Sequence, residues 1–109
     1  MTKKQKNTVN GMLEKKCILW AENYSKKKYG TTVAGASRAV RPVIVYCFRH
    51  LELNMREMSR LTGIARATMY RELSRGEMIV KKTHAGQLLY DEIMSYMRAE
   101  GKKNGWRLL

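Results

Sequence analysis

The chain has 109 residues, of which 22 are Lys or Arg and nine are Asp or Glu, leaving a formal charge of +13. That length supports one hydrophobic core and excludes a second domain of ordinary size, and the charge creates a positive field that concentrates polyanions, of which nucleic acid is the commonest in a cell. The longest apolar run, Pro42 to Phe48, has seven residues against the roughly 20 of a membrane span, so no membrane partner is expected.

The start M-T-K-K-Q-K-N is basic and is followed by no apolar secretion segment, which predicts an intracellular, cytoplasmic protein. Residues 1–8 have no apolar anchor before Val9 and read as a flexible basic arm. From Val9 the apolar positions Val9, Met12, Leu13, Cys17, Trp20 and Tyr24 recur at helical spacing, predicting a helix to about Lys28 with those residues on its inner face. Residues 1–30 hold eight Lys against two Glu, a lysine field suited to loose attraction of phosphates. Gly30 to Gly35 reads as a loop.

Ser37 to Leu53 is the next helix candidate. Pro42 lacks an N–H and is tolerated in the first turn, so the regular helix is expected from about Arg41. The run V-I-V-Y-C-F favours extended structure, and a β-strand is the alternative there. Asn54 with Glu57 three residues on has the spacing of a capping box and opens a short helix, Met55 to Thr62, stopped by Gly63.

A second helix follows Gly63. Ser59 is small where that helix crosses; Gly63 suits a turn with positive φ; Ile64 plugs the space between the helices; Met69 and Leu73 face the core. The outward stripe is then Arg66, Ala67, Tyr70, Arg71 and Ser74, which a helix docked in a DNA groove would present. Residues 54–76 carry five Arg against Glu57 and Glu72, and the planar fork of Arg matches a guanine edge or a phosphate. Glu57 and Glu72 read as a cap and as an intramolecular partner for an Arg. Thr68 joins Tyr70 as a candidate for phosphate or base contact, and Arg56, Arg60 and Arg75 as candidates for phosphate, with a plain solvated face the alternative for Arg56 and Arg60.

Gly76 is expected to end the second helix as a left-handed cap, and Glu77 to Lys82 to form a short β-wing or a plain connection. Thr83 can cap a helix to about Glu100 with Ala85, Leu88, Leu89, Ile93, Tyr96 and Met97 on its apolar side; that face either packs on the first helix or seeks a second subunit. The tail G-K-K-N-G-W-R-L-L is either docked through Trp106 or a partner-binding end. The expected fold is therefore all-α, one helix-turn-helix domain of about four to five helices over residues 9–109, with the helix-turn-helix at 54–76 and the C-terminal helix at 83–100.

The segment M-R-E-M-S-R-L-T-G-I-A-R-A-T-M-Y-R-E-L, Met55 to Leu73, resembles the helix-turn-helix of bacterial DNA-binding proteins, especially serine resolvases, invertases and some transposases, where a G-[VI]-S-R-S-T-[VI]-Y-R-x-[LI] string is common. Ala65 and Ala67 stand where that string has Ser, and Ser59 replaces a typical Ala. Losing the cap at Ala65 costs about 1 kcal/mol of helix-start stability and removes a hydroxyl that can bond a phosphate. The resemblance implies a transcriptional regulator, of bacterial, plasmid or phage origin, that binds double-stranded DNA as a nucleoid-associated homodimer, with base reading by Arg66 and Arg71. Alternatives are a non-catalytic accessory of a recombination or transposition system and a nucleoid or RNA-binding protein. No enzyme activity is expected, because the acids are scattered and form neither a carboxylate triad nor a partner for a Ser-Arg nucleophile. Cys17 and Cys47 have no metal-ligand spacing and neither His50 nor His84 completes a site, so the cysteines read as reduced core residues, with a disulfide between them the alternative, and no metal or cofactor is expected.

Overall fold

The computed structural model describes the backbone of residues 3–108 and the side chains of residues 12–108. Five helices follow one another, α1 (Lys3–Tyr29), α2 (Arg41–Phe48), α3 (Met55–Thr62), α4 (Arg66–Lys82) and α5 (His84–Asn104), with no strand among the described residues. The all-α architecture is as expected from the sequence; its boundaries differ in several places.

At the centre lies α2. Every residue from Pro42 to Phe48 is buried, which explains a run that reads equally as strand or helix: a helix covered on all sides has no polar stripe to reveal its period. Pro42 stands in the first turn, where its missing N–H costs nothing, and α4 and α5 pack directly on this core helix while α1 packs on α3 and α5. Leu51 and Leu53 continue the core past its end.

Helix α1 begins at Lys3, so residues 3–8, expected as an arm, are helical; nothing between Lys3 and Gly11 breaks a helix, and Lys and Gln are good formers. Its inner face is rotated from the expected one. Cys17, Ile18 and Ala21 are buried with Leu13, Trp20 and Tyr24 packed against them, whereas Met12 is 59% exposed. Val9 lies outside the described side chains. Glu14 and Ser25 are buried on the inner side as well. Ser25 Oγ donates to the Thr31 carbonyl at 2.8 Å and Glu22 accepts from the Val33 N–H at 3.3 Å, so the loop after Gly30 is tied back onto α1.

Gly76 departs furthest from its expected role. It does not end α4, which runs unbroken to Lys82, and residues 77–82 are helix rather than a wing. Gly76 is buried where α4 crosses α2: a Cβ there would lie 2.1 Å from the Pro42 carbonyl oxygen and 2.7 Å from Tyr46 Cβ. Its lack of a side chain is thus spent on close approach, and its φ is not positive. Ile79 and Val80, which favour a strand locally, pack into the core instead.

Thr83 ends α4 and caps α5, accepting from the Gly86 N–H at 2.9 Å. Gly86 sits against Ile79, closing the α4–α5 hairpin. The α5 helix extends to Asn104 and stops at Gly105, whose φ is 84°. It packs within the chain through Ile93, Met94 and Met97; Lys28 and Glu92 pair at 2.6 Å and the Tyr24 and Tyr96 rings lie 5.8 Å apart, joining α5 to α1. Ala85, Leu88 and Tyr96, expected on the apolar side, are exposed, Leu88 at 56% and Tyr96 at 49%. The tail docks: Trp106 is buried against Gly101 and its Nε1 donates to the Met97 carbonyl at 3.2 Å.

Candidate nucleic-acid interface

The two helices α3 and α4 meet through a turn held by several short-range hydrogen bonds. Asn54 caps α3, its Oδ1 accepting from the Glu57 N–H at 2.8 Å. The reciprocal half of a capping box is replaced: the Glu57 carboxylate accepts from Arg60 at 2.8 Å and lies 3.7 Å from Lys15 of α1. Arg60 in the first place holds the Glu57 carboxyl below its ordinary pKa. Gly63 takes φ 76° and returns its N–H to the Ser59 carbonyl at 2.9 Å, the left-handed ending that a β-carbon would strain.

Ser59 does more than stay small. Its hydroxyl donates to the Ile64 carbonyl, and Thr62 Oγ1 donates to the Met58 carbonyl at 2.8 Å while accepting from the Ile64 N–H at 3.2 Å. Two hydroxyls therefore fix both polar groups of Ile64, whose side chain is buried between the helices. At Ala65 the N-cap of α4 makes no side-chain bond, as expected from the missing hydroxyl.

Along α4 the buried residues Met69, Glu72, Gly76 and Val80 form one line at helical spacing, with Leu73 half-buried beside it. The outward set Arg66, Ala67, Tyr70, Arg71 and Ser74 is exposed throughout, and so is Arg75, while Thr68 is half-buried. Because α4 does not stop at Gly76, Met78, Lys81 and Lys82 prolong the exposed face beyond the residues expected from the sequence. The 3,4 spacing onward from Ala67 and Arg71 contains that information, and reading Gly76 as a stop conceals it.

Glu72 is the acid that would spoil a cationic face, and it is turned inward. It is 1% exposed, and its two oxygens are taken by Arg41 Nε of α2 at 2.9 Å and Arg75 Nη1 at 3.0 Å. The expected intramolecular role of Glu72 is therefore fulfilled by two arginines, one of them from a helix that no local pattern links to it. Arg41 also donates to the Ala34 carbonyl at 3.0 Å, which ties the loop before α2 to the same cluster. Glu77, at the flank of the face, pairs with Lys81 at 2.6 Å and lies 3.9 Å from Arg49, and Lys81 in the first place lowers its pKa.

On α3, Arg56 and Arg60 are both exposed, and Arg60 is engaged by Glu57. Packing of α1 on α3 brings Lys15 beside them, a neighbour that sequence periodicity does not reveal. Among the described residues, no group of three or more His, Cys, Asp or Glu is arranged to hold a metal ion, and no helix is long and apolar enough to cross a membrane. Cys17 and Cys47 are free and buried, and burial pushes the Cys17 thiol up to about 12 and raises that of Cys47 as well. Comparison of the chain with protein-family models, curated proteins and solved structures finds no match.

Proposed function

We propose that the chain is a sequence-specific DNA-binding regulator of transcription that inserts the outer face of α4 into the major groove. The observation that carries the proposal is the division of α4. Arg66, Tyr70, Arg71 and Ser74 are exposed around Ala67, while the only acid within the first three turns, Glu72, is buried and bound by two arginines. A helix made for a solvated surface has no need to hide its acid, whereas a helix facing a phosphate-lined groove gains from doing so.

The mounting supports the same reading. The hydroxyls of Ser59 and Thr62 and the left-handed Gly63 hold α4 at a set angle to α3, and Gly76 seats it on α2. Arg56 on α3 and Lys15 on α1 stand ready for phosphates on the flank. A bidentate arginine contact discriminates by roughly 1–3 kcal/mol, so one copy gives modest selectivity and a second copy on a two-fold site is part of the proposal.

Selection of bound duplexes from a random library, followed by fluorescence anisotropy on the selected and a scrambled duplex at two salt concentrations, tests it. The selected duplex is expected to bind more tightly at both salts. Equal affinities would refute sequence reading, and displacement of labelled DNA by duplex RNA at equal concentration would favour the RNA-binding alternative.

A further inference from the structure

The three arginines on the outer face of α4 differ in freedom. Arg75 is held by buried Glu72 at 3.0 Å. Arg71 Nη2 donates to Thr68 Oγ1 at 3.3 Å, which draws its guanidinium back along the helix. Arg66, in the first turn, makes no hydrogen bond or ion pair with any described residue, and its fork is open. Ala67 lies half a turn from the buried line of Met69, Glu72, Gly76 and Val80, so it is the outermost point of the face, with Arg66 and Tyr70 to one side and Arg71 to the other.

Position along the axis separates the same residues. A recognition helix offers its N-terminal residues to the base edges. Residues 71–75 lie about 7–13 Å further along at 1.5 Å per residue, a distance comparable with the roughly 12 Å width of the major groove. When the first turn reaches the groove floor, Arg71 and Arg75 come to the wall, where the phosphates are. At the floor the outermost group is the methyl of Ala67. A methyl has no hydrogen bond to offer, and the one apolar feature in the major groove is the C5 methyl of thymine.

Resting on the DNA-binding reading above, we infer that base reading is confined to Arg66 and Ala67, Arg66 taking the O6/N7 edge of a guanine and Ala67 the C5 methyl of a neighbouring thymine, while Arg71 and Arg75 hold phosphates. The apolar residue that departs from the usual Ser at position 67 then becomes a specificity determinant.

The test uses the full chain and the duplex obtained by selection. Arg66→Lys keeps the charge and removes the fork; it is expected to leave the salt dependence unchanged while losing guanine preference at one position by on the order of tenfold. Arg71→Ala is expected to weaken selected and scrambled duplexes by the same factor and to reduce the slope of log affinity against log salt by about one. Replacing thymine by deoxyuridine, which lacks the methyl, is expected to weaken the wild type about fivefold and to leave Ala67→Gly unaffected. Loss of a base preference in Arg71→Ala, its retention in Arg66→Lys, or indifference of the wild type to deoxyuridine would overturn the assignment with DNA reading intact. Failure of the selection to enrich any duplex would overturn the DNA reading itself, and this assignment with it.

Discussion

Replacing Gly76 by Ala tests how α4 is held on α2. In an exposed helix interior this substitution stabilises by about 1 kcal/mol, because Ala restricts the unfolded chain and favours the helix. Here the new Cβ meets the Pro42 carbonyl oxygen at 2.1 Å, Tyr46 Cβ at 2.7 Å and the Pro42 carbonyl carbon at 2.9 Å. None of these is the far end of a flexible side chain, so the two helices must separate by about 1 Å, the shortfall from an ordinary carbon–oxygen contact of about 3 Å. Such overpacking typically costs 1–3 kcal/mol, occasionally more, and the tightness of this contact puts it at about 3 kcal/mol. Setting the propensity gain against it leaves a net loss of about 2 kcal/mol, or a fall in Tm of roughly 8–16 °C for a domain near this size. Thermal unfolding followed by far-UV circular dichroism measures it. A Tm equal to or above that of the wild type would show that α4 does not crowd α2 at this point, and that Gly76 is an ordinary helical glycine.

Ser59→Ala installs the residue usual in the resembling family but removes the hydroxyl that donates to the Ile64 carbonyl; urea unfolding should show a loss of about 1 kcal/mol. Burial foremost raises the pKa of Glu14, with the backbone of Arg107 pulling it down and Glu52 pushing it up. A carboxyl whose folded pKa is raised binds its proton more tightly in the folded state, so its contribution to stability is lost as pH rises from its unfolded value of about 4.5. Glu14→Gln should abolish that part of the loss, seen as a smaller fall in Tm between pH 4 and pH 7. Cys17 and Cys47, with raised thiol pKa values and no exposure, should resist a thiol-specific disulfide reagent at pH 8 and react on unfolding in urea; fast labelling of the folded protein would contradict their place in the core. Trp106→Ala empties the seat against Gly101 and frees the Met97 carbonyl; a loss of about 3–5 kcal/mol is expected from chemical denaturation.

Elements marked by chemistry within a few residues are legible in the sequence. Asn54, Gly63 and Thr83 announce helix ends because the groups they satisfy lie three or four positions away. The outward set on α4 is legible for a similar reason, since one helical period sorts Arg66, Ala67, Tyr70, Arg71 and Ser74 from Met69 and Glu72. Gly76 is not, because a glycine that ends a helix and a glycine that admits a neighbouring backbone look alike until the neighbour is known, and Pro42 is far away in the chain. The same holds for Arg41 as the partner of Glu72 and for Lys15 beside Glu57. Met12, three residues from Val9, fits the inner stripe by spacing and is nevertheless exposed, because local spacing does not tell how far around α1 its neighbours reach.

The two sides of α4 have almost nothing in common: the residues that seat it, Met69, Glu72, Gly76 and Val80, are buried, and those that face outward are exposed and, apart from Arg71 on Thr68, Arg75 on Glu72 and Lys81 on Glu77, make no side-chain hydrogen bond or ion pair with a described residue. Such a helix is tolerant of change in one direction and intolerant in the other. Drift at positions 66, 67, 70 and 74 leaves the scaffold untouched, so descendants of one ancestor can diverge in what they recognise while keeping the same melting behaviour, and a library randomised at those four positions starts from a folded protein in nearly every member.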